Sequence, residues 1–331
     1  MIKKVFKLFS NNITILKDIN KSTDKNIIVI CYEILKYKIK YKINIEDYLS
    51  FQFYNMKDEE VATFFTYKMN DKLVDRFNDK KKKLLFNNKE EFNKIFADYL
   101  GRDWIRSDVS YEDFLEFING KTAIFYKKID GRRGIGARKY ILNDYKDDYK
   151  KLYQEISNLS LGIVEDVVVP HKLINDLCDT GLSTIRVVTL NNNGKLVLLD
   201  SVFMITNGSI VNCEVTGGGL SACIDVNTGI VITDGVDVKR NFYIKHPISG
   251  KTIKGIQIPY WHEVLNIISE IYNKVSDVNY IGWDIAITDN GPIVIEGNAS
   301  WPSHRIWQIP YLREKKGKKS EVLAKIYDKS N

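Results

Sequence analysis

Two acidic residues and an amide recur at short spacing in the segment YIGWDIAITDNGPIVIEGN, near the C-terminal end of the sequence. Two apolar runs flank Asp289, Asn290 and Gly291, and such a break is typical of a β-hairpin. If these three residues form the loop, counting back along both strands places Asp284 directly opposite Glu296. The spacing therefore predicts that two carboxylates face each other across one hairpin.

Asn298 joins this pair because strand side chains alternate, which places it on the same face as Glu296. Directly opposed acids destabilise a sheet unless a cation compensates them. Carboxylate and amide oxygens suit Mg²⁺, which usually shares its ligands with phosphate groups. Asp284, Glu296 and Asn298 are therefore predicted to bind metal. The alternative is an ordinary exposed hairpin with solvated acids.

A second candidate element is FYKKIDGRRGIGARKYIL, in which a strand leads Lys127 and Lys128 into a turn containing Gly131, Gly134 and Gly136. The backbone N–H groups of a glycine loop can hold phosphate, and a lysine adds positive charge. The glycine spacing fits neither GxxxxGK[ST] nor the dinucleotide fingerprint. The segment thus predicts phosphate binding of another type, with a basic surface hairpin as the alternative.

Two further strands carry polar groups. The run IVEDVVVPHKL begins near Glu165 and could present backbone donors and acceptors to an adenine edge. The run STIRVVTL places Thr184, Arg186 and Val188 on one face, and a buried guanidinium there would need an anionic partner. From the residues alone, a structural salt bridge is the default interpretation for Arg186.

The elements around these motifs indicate an α+β protein. Helical periodicity dominates the first hundred residues, where Asn44 and Asn88 stand at N-cap positions, although YKIKYKIN also alternates like a strand. From about Lys121 onward, short β-branched runs alternate with Gly, Asn and Asp turns. The second part is therefore predicted to contain mainly antiparallel sheets.

Composition excludes several classes of protein. The 331 residues are 44% hydrophobic and 27% charged, which excludes collagen-like, low-complexity and mostly disordered chains. The net charge of +7, from 49 basic and 42 acidic residues, is mild. The four cysteines form no CxxC pair, and no apolar run reaches membrane-spanning length. We expect reduced thiols in a cytoplasmic protein.

The order of these elements resembles the ATP-grasp superfamily: a lysine strand with a glycine loop, a hinge strand, an arginine strand and a hairpin ending in D…E-x-N. Within that superfamily, STIRVVTL, HPISG, IPYWHEV and GWDIAIT…GPIVIEGN are similar to the sugar-transfer associated ATP-grasp family. The resemblance covers roughly residues 85 to 310 and is strongest from 181 to 298.

The resemblance implies an ATP-grasp fold, in which two α+β lobes bind a nucleotide between them. The helical region would span residues 1–85, the N-lobe 86–170 and the C-lobe 171–331. It also implies ATP, two Mg²⁺ ions and an ADP-forming ligation of a carboxylate to an amine through an acylphosphate. Such families occur in bacterial surface-polysaccharide (capsule) clusters, so the product would be a sugar or glycan precursor carrying an amino acid or similar group.

The resemblance also assigns roles to residues. Lys127 and, as a weaker match, Lys89 would bind the phosphates together with the glycine loop, and Arg186 would hold the transferring phosphate or a developing oxyanion. Ile295 would pack under the adenine ring. The metal ligands would again be Asp284, Glu296 and Asn298. The interlobe hinge, whose backbone would bind adenine, would comprise Glu165, Asp166, Val167 and Val168.

One segment departs from the family, and three alternatives stay open. Where relatives read V-D-N before a double glycine, this chain has Val211, Asn212 and Cys213. The first alternative is a small-molecule kinase on the same fold. The second, weaker one is a nucleic-acid-binding protein that uses the basic run at 80–83, the RRGIGARK loop and the basic tail. Because charge runs are usually solvated faces, we expect no nucleic-acid partner. The third is a contact of KKVFKLF with an anionic membrane surface. Oligomeric state is left open.

Overall fold

The computed structural model describes residues 13–132, 134–146, 148–208 and 218–327. The departure at Val211, Asn212 and Cys213 lies outside these described residues. The described chain forms two compact units. The helical unit combines residues of Met1–Leu73 and His304–Asn331, and the sheet unit comprises Val74–Ser303. The lobes at 86–170 and 171–331 stay a prediction.

The helices follow in chain order. They are α1 (Ile13–Ser22), α2 (Ile27–Tyr41), α3 (Ile45–Ser50), α4 (Asp58–Val61), α5 (Tyr67–Phe77), α6 (Lys89–Ile95), α7 (Tyr111–Ile118), α8 (Tyr149–Ser157), α9 (Lys172–Asn175), α10 (Trp261–Ile271) and α11 (Lys319–Tyr327). Short 3₁₀ turns lie at Phe53–Asn55, Lys82–Asn87, Ala97–Tyr99, Leu142–Tyr145 and Ile309–Glu314.

Two of the helix starts confirm the predicted N-caps. The Asn44 side chain accepts a hydrogen bond from the Asp47 backbone N–H at 2.8 Å, and Asn88 caps α6 through Glu90 at 3.0 Å. These bonds satisfy backbone donors that lack a partner in the first helical turn. The strand alternative for YKIKYKIN is wrong, because its first five residues end α2, where Tyr37 belongs to the buried face.

The smaller sheet has the strand order β1-β4-β2-β3, with all neighbours antiparallel. Its strands are β1 (Trp104–Arg106), β2 (Ala123–Lys128), β3 (Arg138–Ile141) and β4 (Gly162–Asp166). Helices α7 and α8 cover one face, where Ile124, Tyr126 and Val164 join a hydrophobic core. Because side chains alternate, Lys127 and Glu165 point to the opposite face.

The larger sheet has the order β11-β10-β5-β6-β7-β8-β9 and is also antiparallel. Its strands are β5 (Thr184–Asn192), β6 (Lys195–Ile205), β7 (Leu220–Ile224), β8 (Gly235–Val236), β9 (Phe242–Tyr243), β10 (Tyr280–Thr288) and β11 (Gly291–Asn298). Helix α10 packs with Ile185, Val187, Trp283 and Ile285 in the main core. Alternation therefore places Thr184, Arg186 and Asp284 together on the other face, as predicted for β5.

Candidate functional site

The hairpin of β10 and β11 brings the two predicted acids opposite each other. The turn holds two residues, one fewer than the sequence predicts, because Gly291 already pairs with Thr288. A β-bulge at Ile295 restores the missing residue, so that Asp284 pairs with Glu296. The predicted pairing is therefore confirmed, although the predicted loop length was wrong.

Asn298 completes a cluster with these acids. Its Nδ2 lies 3.5 Å from Asp284 Oδ2 and 3.4 Å from Glu296 Oε1. Both distances lie beyond the usual range of a good hydrogen bond. Asp284 is only 4% exposed, whereas Glu296 and Asn298 are partly buried. Three oxygen-bearing side chains thus converge on one small region, and Asn298 binds neither acid tightly.

Arg186 is the anionic pair's nearest cation. It lies opposite Asp284 on the neighbouring strands β5 and β10, and its Nε and Nη2 donate to both carboxylate oxygens, with Nη2 to Oδ2 at 2.7 Å. Its Nη1 donates to Ser303 Oγ at 3.2 Å. A Cβ on Gly282 would lie 3.0 Å from Arg186 Cδ, so glycine leaves space for this side chain. The expected anionic partner of Arg186 is therefore Asp284.

The charges of the two acids are only partly compensated. Burial raises the pKa of Asp284 to about 6, although Arg186 opposes this effect, and the charge of Glu296 adds to it. Burial acts on Glu296 in the same direction, but Lys89 and Arg186 together hold the pKa of Glu296 below its usual value. An additional cation beside Asp284 would be stabilised here.

Lys89 and Lys127 also affect the charge balance of the acidic pair. Lys127 on β2 forms an ion pair with Glu165, while Lys89 Nζ donates to the Gly131 carbonyl at 2.6 Å. Burial lowers the pKa of Lys89, and Glu296 counteracts that effect. A buried ammonium that is held mainly by one carbonyl is a suitable donor for an anionic ligand.

The glycine loop follows β2 directly. Gly134 and Gly136 have φ values of +66° and +80°, which favour glycine. Both are exposed, and the N–H of Ala137 donates to the Gly134 carbonyl at 3.1 Å. The structure therefore places the loop at the surface, with Gly131 tied to Lys89.

The residues assigned to the hinge lie at the end of β4 and just after it. Glu165 is buried, Asp166 forms an ion pair with Lys121 at 2.6 Å, and Val167 and Val168 are partly buried in the irregular segment that follows. The Glu165 side chain is not directed to solvent. Burial alone would raise its pKa, but Lys127 and Arg102 hold the pKa of Glu165 below its usual value.

Arg102 is a residue that the sequence analysis missed. It is almost completely buried, and its Nε donates to Glu165 Oε2 at 3.0 Å. Its other nitrogens donate to the carbonyls of Val294 at 2.8 Å and Ile295 at 3.3 Å. Arg102 therefore connects the partner of Lys127 to the bulge that sets the position of Glu296. An isolated arginine in GRDW gives no sequence signal of this role.

Close packing also fixes the backbone between Glu296 and Asn298 on β11. A Cβ on Gly297 would lie 2.6 Å from the Phe86 ring, so a larger residue there would displace the strand or the ring. Phe86 itself contacts Trp283 and Phe92 in the core. The spacing Glu296-Gly-Asn298 is therefore the one that allows β11 to approach this aromatic cluster.

The donor set fits Mg²⁺. Within the ranges that the structure describes, no group of three or more His, Cys, Asp and Glu side chains is arranged for a metal ion. The cluster here has two carboxylates and one amide, which supply the hard oxygen ligands that Mg²⁺ takes. Each oxygen of Asp284 retains a lone pair beside its bond to Arg186. The raised pKa of Asp284 is consistent with a site that gains from an added cation.

A sequence profile described as sugar-transfer associated ATP-grasp matches residues 139–322, more than half of the chain. The chain belongs to the sugar-transfer associated ATP-grasp family. Its fold is therefore the α+β ATP-grasp fold that the sequence predicts. The match includes Arg186 and the complete hairpin of Asp284, Glu296 and Asn298, but it begins after Lys89, Lys127 and the glycine loop.

Similarity to solved structures is remote. The ATP-grasp ligase PsnB, complexed with minimal precursor, Mg and ADP, is 14% identical with a TM-score of 0.40 over 68% of this chain and 53% of its own. The D-alanine–D-alanine ligase from Coxiella burnetii is 12% identical, with a TM-score of 0.43 over 75% of this chain and 58% of its own. The chain therefore spans little more than half of these relatives. A comparison with curated proteins finds no significant match.

Proposed function

We propose that this protein is an ADP-forming ligase that joins a carboxylate to an amine through an acylphosphate. Its substrates would be a small carboxylate and an amine or a sugar-linked acceptor. Its product would be a sugar or glycan precursor of a bacterial surface polysaccharide that carries an amino acid or a similar group, made in the cytoplasm. The observation that carries the proposal is the convergence of Asp284, Glu296 and Asn298 within the electrostatic range of Lys89 and Lys127.

Nucleotide binding follows from the distribution of charge. Lys127 would exchange part of its contact with Glu165 for phosphate oxygens, and Lys89 would add a second positive charge near Gly131. The backbone of the segment after Glu165 would bind adenine, and Ile295 would pack against the ring. Together these groups would orient the triphosphate. Such positioning matters because phosphoryl transfer depends mainly on positioning and neutralisation of charge.

Asp284, Glu296 and Asn298 would hold two Mg²⁺ ions, which neutralise charge on the phosphate oxygens when bound. Asp284 keeps Arg186 in a fixed orientation by its two-point ion pair. The guanidinium can thus act as a preorganised donor to the transferring phosphate. Loss of one such donor typically costs about a hundredfold or more in rate.

The proposed reaction has two steps. A carboxylate oxygen of the substrate attacks the γ-phosphorus, and the bond to the β,γ-bridging oxygen breaks, which releases ADP. The amine nitrogen then attacks the acyl carbon, loses its proton to solvent, and expels phosphate. Arg186 would stabilise the negative charge that develops in both steps.

Trapping with hydroxylamine tests the ligase. The protein is incubated with MgATP and hydroxylamine, and with each member of a panel of amino acids and uronic acids. An acylphosphate would be intercepted as a hydroxamate, with one ADP and one phosphate released per product. A stable phosphorylated alcohol without hydroxamate would indicate the alternative kinase. Release of AMP and pyrophosphate would contradict both functions.

A further inference from the structure

Helix α2 of the helical unit has apolar side chains on two opposite sides. Ile30, Ile34 and Tyr37 are buried and face the interior of the unit. On the other side, Ile28 is 79% exposed and Ile39 is 73% exposed. Large apolar side chains on the outer side of a helix are unusual at a surface, because they gain nothing from folding alone.

The outer side chains form one continuous stripe, here named the α2 stripe, which consists of Ile28, Tyr32, Leu35 and Ile39. Their spacing of four, three and four residues places them along a single line on the helix. Leu35 is partly buried, whereas Tyr32 is exposed. The stripe therefore spans nearly the whole length of α2.

The charges beside the stripe have one sign. The C-terminal half of α2 and its C-cap carry four lysines, Lys36, Lys38, Lys40 and Lys42. No acidic residue occurs between Glu33 and Glu46. Asp58 binds Lys36 at 2.6 Å and Lys40 at 3.0 Å, so one acid faces two of these four lysines. This end of the helix thus combines exposed apolar groups with net positive charge.

We propose that the α2 stripe docks the protein on an anionic membrane surface. The apolar side chains would enter the boundary between headgroups and acyl chains, and the lysines would contact lipid phosphates. Helix α2 would lie along the surface, since its 15 residues span only about 22 Å, less than the hydrocarbon core. No helix within the described ranges is both long and apolar enough to cross a membrane.

A second copy of the chain fits the stripe less well. Parallel pairing would place lysines against lysines. Antiparallel pairing would place the lysines of one copy beside the N-terminal half of α2 in the other copy. The acid there, Glu33, is already bound to Lys25 at 2.6 Å and to Tyr48 at 2.9 Å. Neither orientation supplies complementary charge, whereas anionic lipid does.

The sequence before α1 has the same chemical character. The segment IKKVFKLF at positions 2–9 alternates lysines with large apolar residues. It lies outside the described residues, and the proposal does not depend on its structure.

Vesicle binding tests the proposal on the full chain. Co-sedimentation is measured with vesicles of phosphatidylcholine alone and of phosphatidylcholine mixed with phosphatidylglycerol. We expect binding to the mixed vesicles that weakens at high salt, and little binding to the neutral ones. The double variant Ile28→Gln/Ile39→Gln should bind the mixed vesicles about tenfold more weakly or worse. Because both side chains are exposed, its melting temperature should match that of the wild type.

Matched controls separate the stripe from general effects. Ile244→Gln/Ile248→Gln removes two exposed isoleucines of the sheet unit and should leave binding unchanged. Lys38→Glu should weaken binding, whereas Lys80→Glu, which changes net charge equally, should have little effect.

Three results would overturn the proposal. The first is a wild-type protein that does not sediment with the mixed vesicles. The second is a stripe variant that still binds them with full affinity. The third is a wild-type dimer that Ile28→Gln/Ile39→Gln converts to a monomer, which would identify a second copy as the partner.

Discussion

Asp47 in the helical unit and Asp284 in the sheet unit are both buried acids with an arginine partner, yet their environments differ. Asp47 accepts hydrogen bonds from the Tyr67 N–H at 2.6 Å, His304 Nε2 at 3.0 Å and Arg305 Nε at 2.9 Å. Burial alone would raise the pKa of Asp47, but these partners hold the pKa below its usual value. Asp47 is thus a satisfied structural charge.

Asp284 has a two-point contact with Arg186, but it also faces a second acid, Glu296. Burial raises the pKa of Asp284 to about 6, Arg186 opposes this effect only in part, and the charge of Glu296 adds to it. The difference shows that burial beside a second acid can outweigh one arginine at Asp284, whereas the several donors around Asp47 outweigh its burial. Folding satisfies Asp47, whereas the pair of Asp284 and Glu296 would be stabilised further by an added cation, which is typical of a functional site.

The largest expected effect is on activity. Glu296→Gln removes a proposed metal ligand and should lower hydroxamate formation about a thousandfold. The ligand-free protein should still fold with only a small change in melting temperature, because the substitution removes both the repulsion with Asp284 and the attraction of Lys89 and Arg186 for the Glu296 carboxylate. Glu263→Gln, at an exposed position of α10, serves as the control and should change neither property. A large loss of stability in Glu296→Gln would indicate a structural pair instead.

Asp47→Asn tests the other side of the comparison. It leaves Arg305 and His304 beside a neutral amide, and the free energy of unfolding should fall by about 3 kcal/mol. Urea denaturation measures this loss. Asp71→Asn, which breaks the surface pair with Lys68, should cost less than about 1 kcal/mol. Equal effects of the two substitutions would mean that the buried cluster has no special structural role.

Arg102→Lys should weaken the connection between Glu165 and the hairpin of the proposed metal site. A lysine keeps the charge beside Glu165 but cannot also donate to the Val294 and Ile295 carbonyls. We expect the affinity for Mg²⁺ in the presence of ADP to fall about tenfold. Arg106→Lys, on the partly exposed face of β1, is the matched control. Titration calorimetry would refute the prediction by giving equal affinities.

The smallest effect concerns acid stability. Burial lowers the pKa of His304, although Asp47 opposes this effect. The unfolded histidine, with a pKa of about 6.5, therefore takes up a proton more readily than the folded one. Stability is fully present above that pH and falls as the pH is lowered through it, by at most about 1.4 kcal/mol per pH unit.

His304→Gln removes the titrating group but retains a donor for Asp47. Its stability should depend less on pH between about 7 and 5 than that of the wild type. Parallel urea titrations at several pH values make the comparison. The same pH slope in both proteins would exclude His304 as the source.

Much of the site could be predicted because its determinants are local. The hairpin, the shared face of Glu296 and Asn298, and the position of Arg186 follow from alternation along strands. The pairing of Asp284 with Glu296 was predicted from a loop that is one residue too long, and the bulge at Ile295 corrected the error. A bulge depends on packing against Arg102 and neighbouring strands, so the strand pattern alone does not reveal it.

Other features depend on distant parts of the chain. Arg102 contacts residues about 60 and 190 positions away in the sequence, and no short pattern encodes such a set. The alternation in YKIKYKIN was compatible with a strand, but α2 is a helix with two apolar sides. In that segment, packing of Tyr37 against the helical unit determined the structure, and local periodicity did not.

The central claim is that Asp284, Glu296 and Asn298 form a magnesium site beside Lys127 that binds nucleotide. Calorimetric titration of ADP into the protein, with and without Mg²⁺, tests it most directly, with Asn298→Ala as the variant because it changes no charge. We predict tight binding that requires Mg²⁺ and that Asn298→Ala weakens. ADP binding that is equal with and without Mg²⁺ and unaffected by Asn298→Ala, or no binding at all, would contradict the account.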